Sequence, residues 1–168
     1  MTNPKAIGET TEAVILAHLL QRGDSVSLPF GNNQRYDMIL DRRGKLIRAQ
    51  CKTGRLRNGV VVFKVSSCNG FTGEHRHYKG QADMFLVWCP ELNSVYEVRV
   101  AACGKQQMSL RIEQTKNGQA AYVRYAAKYL VPAAGVEPAL SLYESAALTV
   151  ELGGPGLDGN ADAMRALL

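Results

Sequence analysis

The stretch that most constrains this chain is Arg35 to Lys52, RYDMILDRRGKLIRAQCK, where two alternating runs flank the turn signal Arg42-Arg43-Gly44-Lys45. Gly44 is free to take the positive φ that a two-residue hairpin turn demands. With Arg43 and Gly44 as the turn, Asp41 faces Leu46, Ile39 faces Arg48, and Asp37 lies opposite Gln50. Side chains alternate between the faces of a strand, so Tyr36, Met38, Leu40, Ile47, Ala49 and Cys51 fall on one side. That apolar side is expected to be buried. The other side carries Asp37, Gln50 and Lys52 in a row.

The rest of the chain supports a single ordinary domain with an appended tail. At 168 residues it is long enough to bury one core. In residues 1–132, 19 Lys and Arg stand against 10 Asp and Glu, a balance of +9. Residues 133–168 hold one Arg and five acids, a balance of −4. A basic body points to a polyanionic partner. Cys51, Cys68, Cys89 and Cys103 include no C-x-x-C pair and no histidine at zinc-ligand spacing, and they read as ordinary thiols of a reducing compartment. No apolar run has the length of a membrane span and no signal peptide is evident, so a cytoplasmic protein with no membrane association is expected.

Asn3-Pro4 is a helix start, with Asn3 as cap and Pro4 in the first turn, and Ile7, Thr11, Val14, Ile15 and Leu19 recur at helical spacing up to Gly23. Ser25 to Phe30 alternates as a strand, and the valine-rich Gly59 to Ser66 forms another. Residues 67–82 read as a long polar connection. Its two histidines, His75 and His77, have the wrong spacing and company for a metal pair and point to DNA or solvent. Ala82 to Cys89 and Ser94 to Val100 are strands around the Pro90-Glu91-Leu92-Asn93 turn, and Ala120 to Leu130 is expected to close the domain as a helix, with a strand as the alternative. This order predicts an α/β fold with a mixed central sheet flanked by helices.

The Asp37 and Gln50-Cys51-Lys52 pattern resembles the PD-(D/E)XK nuclease motif, with Tyr36 in place of its proline and Gln50 in place of its second acid. Gly8-x-x-x-Glu12 is similar to the helix of the Holliday-junction resolvase branch. The runs GETTEAVILAHLLQRGDSVSLPFGNNQRYDMI, AQCKTGR and ADMFLVWCPELNSVYEVRV look closest to homing endonucleases associated with group I introns. The resemblance implies a restriction-endonuclease-like core over residues 1–132. It also implies Mg²⁺, or Mn²⁺ as a substitute, held by the Asp37 carboxylate, the Gln50 amide oxygen and the Cys51 carbonyl, with Glu12 restoring the charge absent at Gln50. Lys52 would then hold the attacking water or the phosphate. A plain alternative is a salt-bridged Asp37–Lys52 pair on an ordinary sheet.

The implied substrate is double-stranded DNA. Arg35, Arg55, Arg57, Arg76 and Lys79 can track a phosphate backbone, while Arg76 and Gln81 can read base edges in the major groove. One small domain has too little surface for a long target, and the resemblance implies a homo-oligomer, either tetramer or dimer. The competing expectations are a junction resolvase or restriction-like nuclease of the same fold, and a DNA-binding module with a decayed site.

From Val131-Pro132 onward the sequence is poor in large core residues and rich in alanine and glycine, so residues 133–168 are expected to form a weakly structured acidic tail. One choice of codons for Gly135–Pro138, Tyr143-Glu144 and Ala147–Leu152 reverses into parts of a transfer-RNA gene in antisense order. The tail is therefore expected to be a reading frame that runs over such a gene.

Overall fold

The computed structural model describes residues 3–31, 33–68, 72–115 and 122–132, all within one unit, Met1–Val136. The expectations for the tail lie outside the described residues. Helix α1 runs from Pro4 to Gln21, with the Asn3 side chain accepting from the Lys5 amide at 3.0 Å and Gly23 at φ 87° just past its end. Its buried positions, Thr11, Ile15 and Leu19, recur on one face. Then come β1 (Ser25–Ser27), β2 (Met38–Arg42), β3 (Lys45–Thr53), β4 (Arg55–Arg57), β5 (Val60–Lys64), β6 (Ser66–Cys68), β7 (His75–His77), β8 (Met84–Cys89), β9 (Ser94–Arg99) and β10 (Gln107–Arg111).

Five strands form the central sheet in the order β1-β2-β3-β8-β9, mixed because β3 and β8 are parallel while the other neighbours are antiparallel. The hairpin closes as the sequence predicts, with Asp41 opposite Leu46, Ile39 opposite Arg48 and Met38 opposite Ala49. Both turn residues have positive φ, Arg43 at 55° and Gly44 at 76°, which is the twist-matched two-residue turn. Helix α1 covers one face, where Ile15 and Leu19 meet Met38, Leu40, Ala49, Cys51, Leu86 and Val95. Each fully buried Ile or Leu there contributes about 1.5–3 kcal/mol. Tyr36 departs from the expected face and packs in the other core.

That other core lies on the opposite face, where Phe85, Val87 and Val98 meet Val61, Phe63, Met108 and Leu110 of a small sheet ordered β10-β5-β4. The chain passes from one sheet to the other at Gly54. A Cβ there would stand 2.8 Å from a Val61 methyl and 3.0 Å from a Val87 methyl, so the two sheets approach too closely for any larger residue.

Several expectations need correction. The first strand stops at Ser27, because Pro29 lacks a ladder N–H and Leu28 and Phe30 are exposed rather than alternately buried. Residues 67–82 are not one polar connection, since β6 and β7 pair as a two-stranded antiparallel ribbon. The closing helix over Ala120 to Leu130 is, in its described part, a single 3₁₀ turn at Ala126–Tyr129, between bridges of Tyr125 to Arg111 and Leu130 to Tyr96. Strands β4 and β10 were not anticipated. No helix among the described residues is long and apolar enough to cross a membrane.

Candidate active site at the end of the central hairpin

Arg48, Gln50 and Lys52 project from the face of β3 that faces away from α1, and each is held by a different neighbour. Asp83 grips Arg48 with both carboxylate oxygens, from Nη2 at 2.9 Å and from Nε at 3.1 Å. Gln50 and Asp37 meet where the hairpin begins. The Asp37 Oδ2 accepts from the Cys51 amide at 2.7 Å and from Gln50 Nε2, and the same Nε2 donates to the Cys51 carbonyl at 3.4 Å. The Asp37 amide itself donates to the Ala49 carbonyl at 2.8 Å, which fixes the carboxylate beside β3.

Burial raises the Asp37 pKa, although the Cys51 amide, the Lys52 charge and Gln50 each favour the carboxylate. Glu12 projects from the exposed side of α1 into the same field. Its carboxyl is likewise raised by burial, and next by the Asp37 charge. The buried Cys51 thiol is pushed well up by burial, and then by Asp37 and Glu12, so it is a neutral packing group whose contribution here is its backbone. Asp37, Gln50 and the Cys51 backbone therefore meet through hydrogen bonds as one corner, and Glu12 is linked to it only as a like charge felt by Asp37.

This corner fits a hard divalent cation. The Gln50 NH₂ group stands between two acceptors, Asp37 Oδ2 and the Cys51 carbonyl, and so fills with positive hydrogens the place a cation would take. Turning the amide over would aim its oxygen at the same place and complete three oxygen donors of different kinds, with Glu12 adding charge. Among the described residues no three His, Cys, Asp or Glu stand at metal-binding distance, Glu12 with Asp37 and Cys51 included.

Lys52 is not paired directly with Asp37. It reaches Asp37 as a nearby charge, while its Nζ donates to the Tyr78 hydroxyl at 2.8 Å and lies 4.4 Å from the ring centroid. Tyr78 was not anticipated as a site residue. It is buried edge-on against Phe85, and no spacing rule links position 78 to position 52.

The cations expected to meet DNA divide into two groups. Arg35 is committed internally: Nε donates to Gln81 Oε1 at 2.7 Å, Nη1 to Ser67 Oγ at 2.9 Å, and Nη2 to the carbonyls of Arg76 and His77, with its guanidinium 4.4 Å from the Tyr78 centroid. Arg35 and Gln81 thus tie the β6–β7 ribbon to the start of the hairpin. Arg76 and Lys79 are exposed, with Arg76 only 3.5 Å from Glu74. Arg57 is exposed on β4, and Arg55 beside it makes a loose 3.9 Å contact with Glu91.

The model of a PD-(D/E)XK endonuclease family matches residues 2–132. The chain belongs to that family. The matched span contains the whole acidic corner, Lys52 and Tyr78. No curated protein matches. Among solved structures, a bacterial homing endonuclease, I-Ssp6803I, aligns with a TM-score of 0.61 at 20% identity, over 89% of this chain and 99% of that one. At that identity the likeness shows the shared restriction-endonuclease-like fold. This PD-(D/E)XK endonuclease is thus a nuclease built on a mixed sheet with α1 on one face.

Proposed function

We propose that this nuclease cuts double-stranded DNA by cation-dependent hydrolysis of a phosphodiester, and that it does so as a homing endonuclease at an intron insertion site. The observation that carries the first part is the convergence of Asp37 Oδ2 and the Cys51 carbonyl on the Gln50 amide, with Glu12 adding a second negative charge that Asp37 feels. A divalent ion bound there supplies Lewis acidity toward the phosphate and lowers the pKa of a bound water. Asp37, Gln50 and the Cys51 carbonyl would hold that ion, with Mg²⁺ the proposed species and Mn²⁺ a substitute. Lys52 offers a compact positive charge to the attacking water or to a phosphate oxygen.

The ribbon of β6 and β7 supports a duplex substrate. A two-stranded ribbon is one of the elements that fit the major groove of B-DNA, and His75, Arg76 and His77 are all exposed on this one. Lys79, Arg55 and Arg57 are proposed to hold the phosphate backbone, with Arg35 and Gln81 fixing the ribbon that meets it. The homing reading rests on the fold shared with I-Ssp6803I and on the sequence runs quoted above. A long target calls for a homo-oligomer, since one domain covers too few base pairs.

The test is to incubate the purified chain with Mg²⁺ and a library of randomised duplexes and to sequence the cut ends. A single recovered motif, lost when EDTA replaces Mg²⁺, is the expected result. Cleavage confined to four-way junctions would replace the homing reading with a resolvase. Binding with no cleavage in Mg²⁺ or Mn²⁺ would leave only a DNA-binding module.

A further inference from the structure

Lys52 is a flexible four-carbon side chain that has to deliver one charge to one place, and a free lysine spreads that charge over many rotamers. Here the neighbour that restrains it is Tyr78. The Nζ donates to Tyr78 Oη at 2.8 Å and lies 4.4 Å from the ring centroid, so it sits at the hydroxyl, just outside the ring. Tyr78 is itself immobilised. Only 5% of its surface is exposed, its ring meets Phe85 at 85° with centroids 5.4 Å apart, and Phe85 is the β8 residue paired with Gln50. The ring also carries Arg35 at 4.4 Å from its centroid, and Arg35 ties the ribbon carbonyls and Gln81 to the start of the hairpin.

We propose that Tyr78 is the positioning residue of this active site, fixing the Lys52 ammonium beside Asp37 and coupling its position, through Arg35 on the same ring, to the DNA-facing ribbon. The inference rests on the reading of Lys52 as a working residue of a nuclease. A tyrosine suits the task for three reasons. Its oxygen accepts from the ammonium without neutralising it, as a carboxylate would. Its ring attracts the Arg35 guanidinium while its oxygen takes the ammonium, so one side chain accommodates both cations. Its hydroxyl proton, which no acceptor among the described residues takes, remains available to the attacking water or phosphate oxygen.

The variant that isolates the hydroxyl is Tyr78→Phe, which keeps the ring, its packing on Phe85 and its contact with Arg35. Two measurements decide the matter. The first needs no substrate: NMR order parameters of the Lys52 NH₃⁺ group in the whole protein, expected to be high in the wild type and to fall to the level of exposed lysines in Tyr78→Phe. The second uses the duplex recovered from the library. Its single-turnover cleavage at saturating enzyme should slow by about tenfold to a hundredfold, while its Kd, measured with Ca²⁺ in place of Mg²⁺, stays within about twofold. An unchanged Lys52 order parameter, a wild-type cleavage rate, or a rate loss matched by an equal loss of binding would each overturn the proposal. Lys52→Ala separates the two levels of inference. If it cleaves normally, the reading of Lys52 fails and this proposal fails with it. If Lys52→Ala is inactive while Tyr78→Phe is fully active, only the role given to Tyr78 is lost.

Discussion

The two ends of the β2–β3 hairpin handle charge in opposite ways. At the turn end, Arg22 and Arg42 close on Asp24 and Glu97 in a four-membered ring: Arg22 to Glu97 at 3.0 Å, Arg42 to Asp24 at 2.9 Å, Arg42 to Glu97 at 2.5 Å, and Arg22 to Asp24. Burial alone would push the Glu97 carboxyl up, but the Arg42 hydrogen bond and the charges of Arg42 and Arg22 hold it below its usual range. At the open end, Asp37 and Glu12 are both raised, and the nearest ammonium is turned to a tyrosine. One end is electrostatically complete and fastens the end of α1 to the sheet. The other is left short of positive charge, which is what the proposed cation site requires.

The largest expected effect breaks the open end. Asp37→Asn and Lys52→Ala should each lower single-turnover cleavage by at least about a thousandfold, because both act where charge develops on the phosphate. Asp37→Asn also removes a buried charge that the folded protein disfavours, so its melting temperature in EDTA should equal or exceed that of the wild type. The rise in melting temperature on adding Mg²⁺ should disappear. A variant that loses cleavage but keeps the full Mg²⁺-induced rise would show that Asp37 is not a ligand.

Breaking the turn end should have the reverse outcome. Glu97→Ala leaves two largely buried guanidinium groups with one carboxylate between them, a loss of about 2–4 kcal/mol in urea denaturation. Cleavage per folded molecule should remain at the wild-type level below the unfolding transition. An equal loss of stability and of intrinsic cleavage rate would mean that the two ends are not independent.

Acidity separates the ends without mutation. Glu97 is lowered in the folded state, so its contribution is present above the ordinary carboxylate value of about 4 and is lost as pH falls through its depressed value. Asp83 follows it, held down first by the Arg48 hydrogen bond. Asp37 and Glu12 are raised, so theirs is present below about 4 and is lost as pH rises through their elevated values. Urea midpoints measured across this range should show a smaller acid-side decline in Glu97→Gln, with the Asp83 part remaining, and should lose the Asp37 part of the opposing trend in Asp37→Asn. Saturating Mg²⁺ should suppress the second alone, because a bound cation keeps both carboxylates ionised.

How much of this was legible in the sequence follows from how local each feature is. The hairpin register, the Asn3 cap and the meeting of Asp37 with Gln50 all depend on residues near one another along the chain. The parallel pairing of β3 with β8 does not, since the crossover between them must fold first, and nothing in MFLVWC names its partner. One missed strand had a local sign. Asn58-Gly59 takes φ values of 49° and 73° as a two-residue turn that pairs Arg57 with Val60, and Asn-Gly between apolar runs is the strongest short hairpin signal. Strand β10 had none, because its partner β5 lies far back in the chain. Tyr78 was hidden for the same reason, since it is held beside Lys52 by packing on Phe85 of the distant strand β8.

The smallest expected effect concerns cations that belong to neither end. Arg57 and Lys79 are exposed, and among the described residues neither enters an ion pair, whereas Arg22 and Arg42 are spent inside the ring. If Arg57 and Lys79 meet phosphates, each alanine change should lower the slope of log K against log salt by about one unit, equally on the recovered motif and on a scrambled duplex. Arg22→Ala removes the same formal charge from a group already neutralised by Asp24 and Glu97, so it should lower stability and leave the slope unchanged. A slope change of one unit for Arg22→Ala would show that the turn end also contacts DNA. No change for Arg57→Ala or Lys79→Ala would move the DNA path away from β4 and the segment after the ribbon, leaving Arg76 as the basic group that meets it.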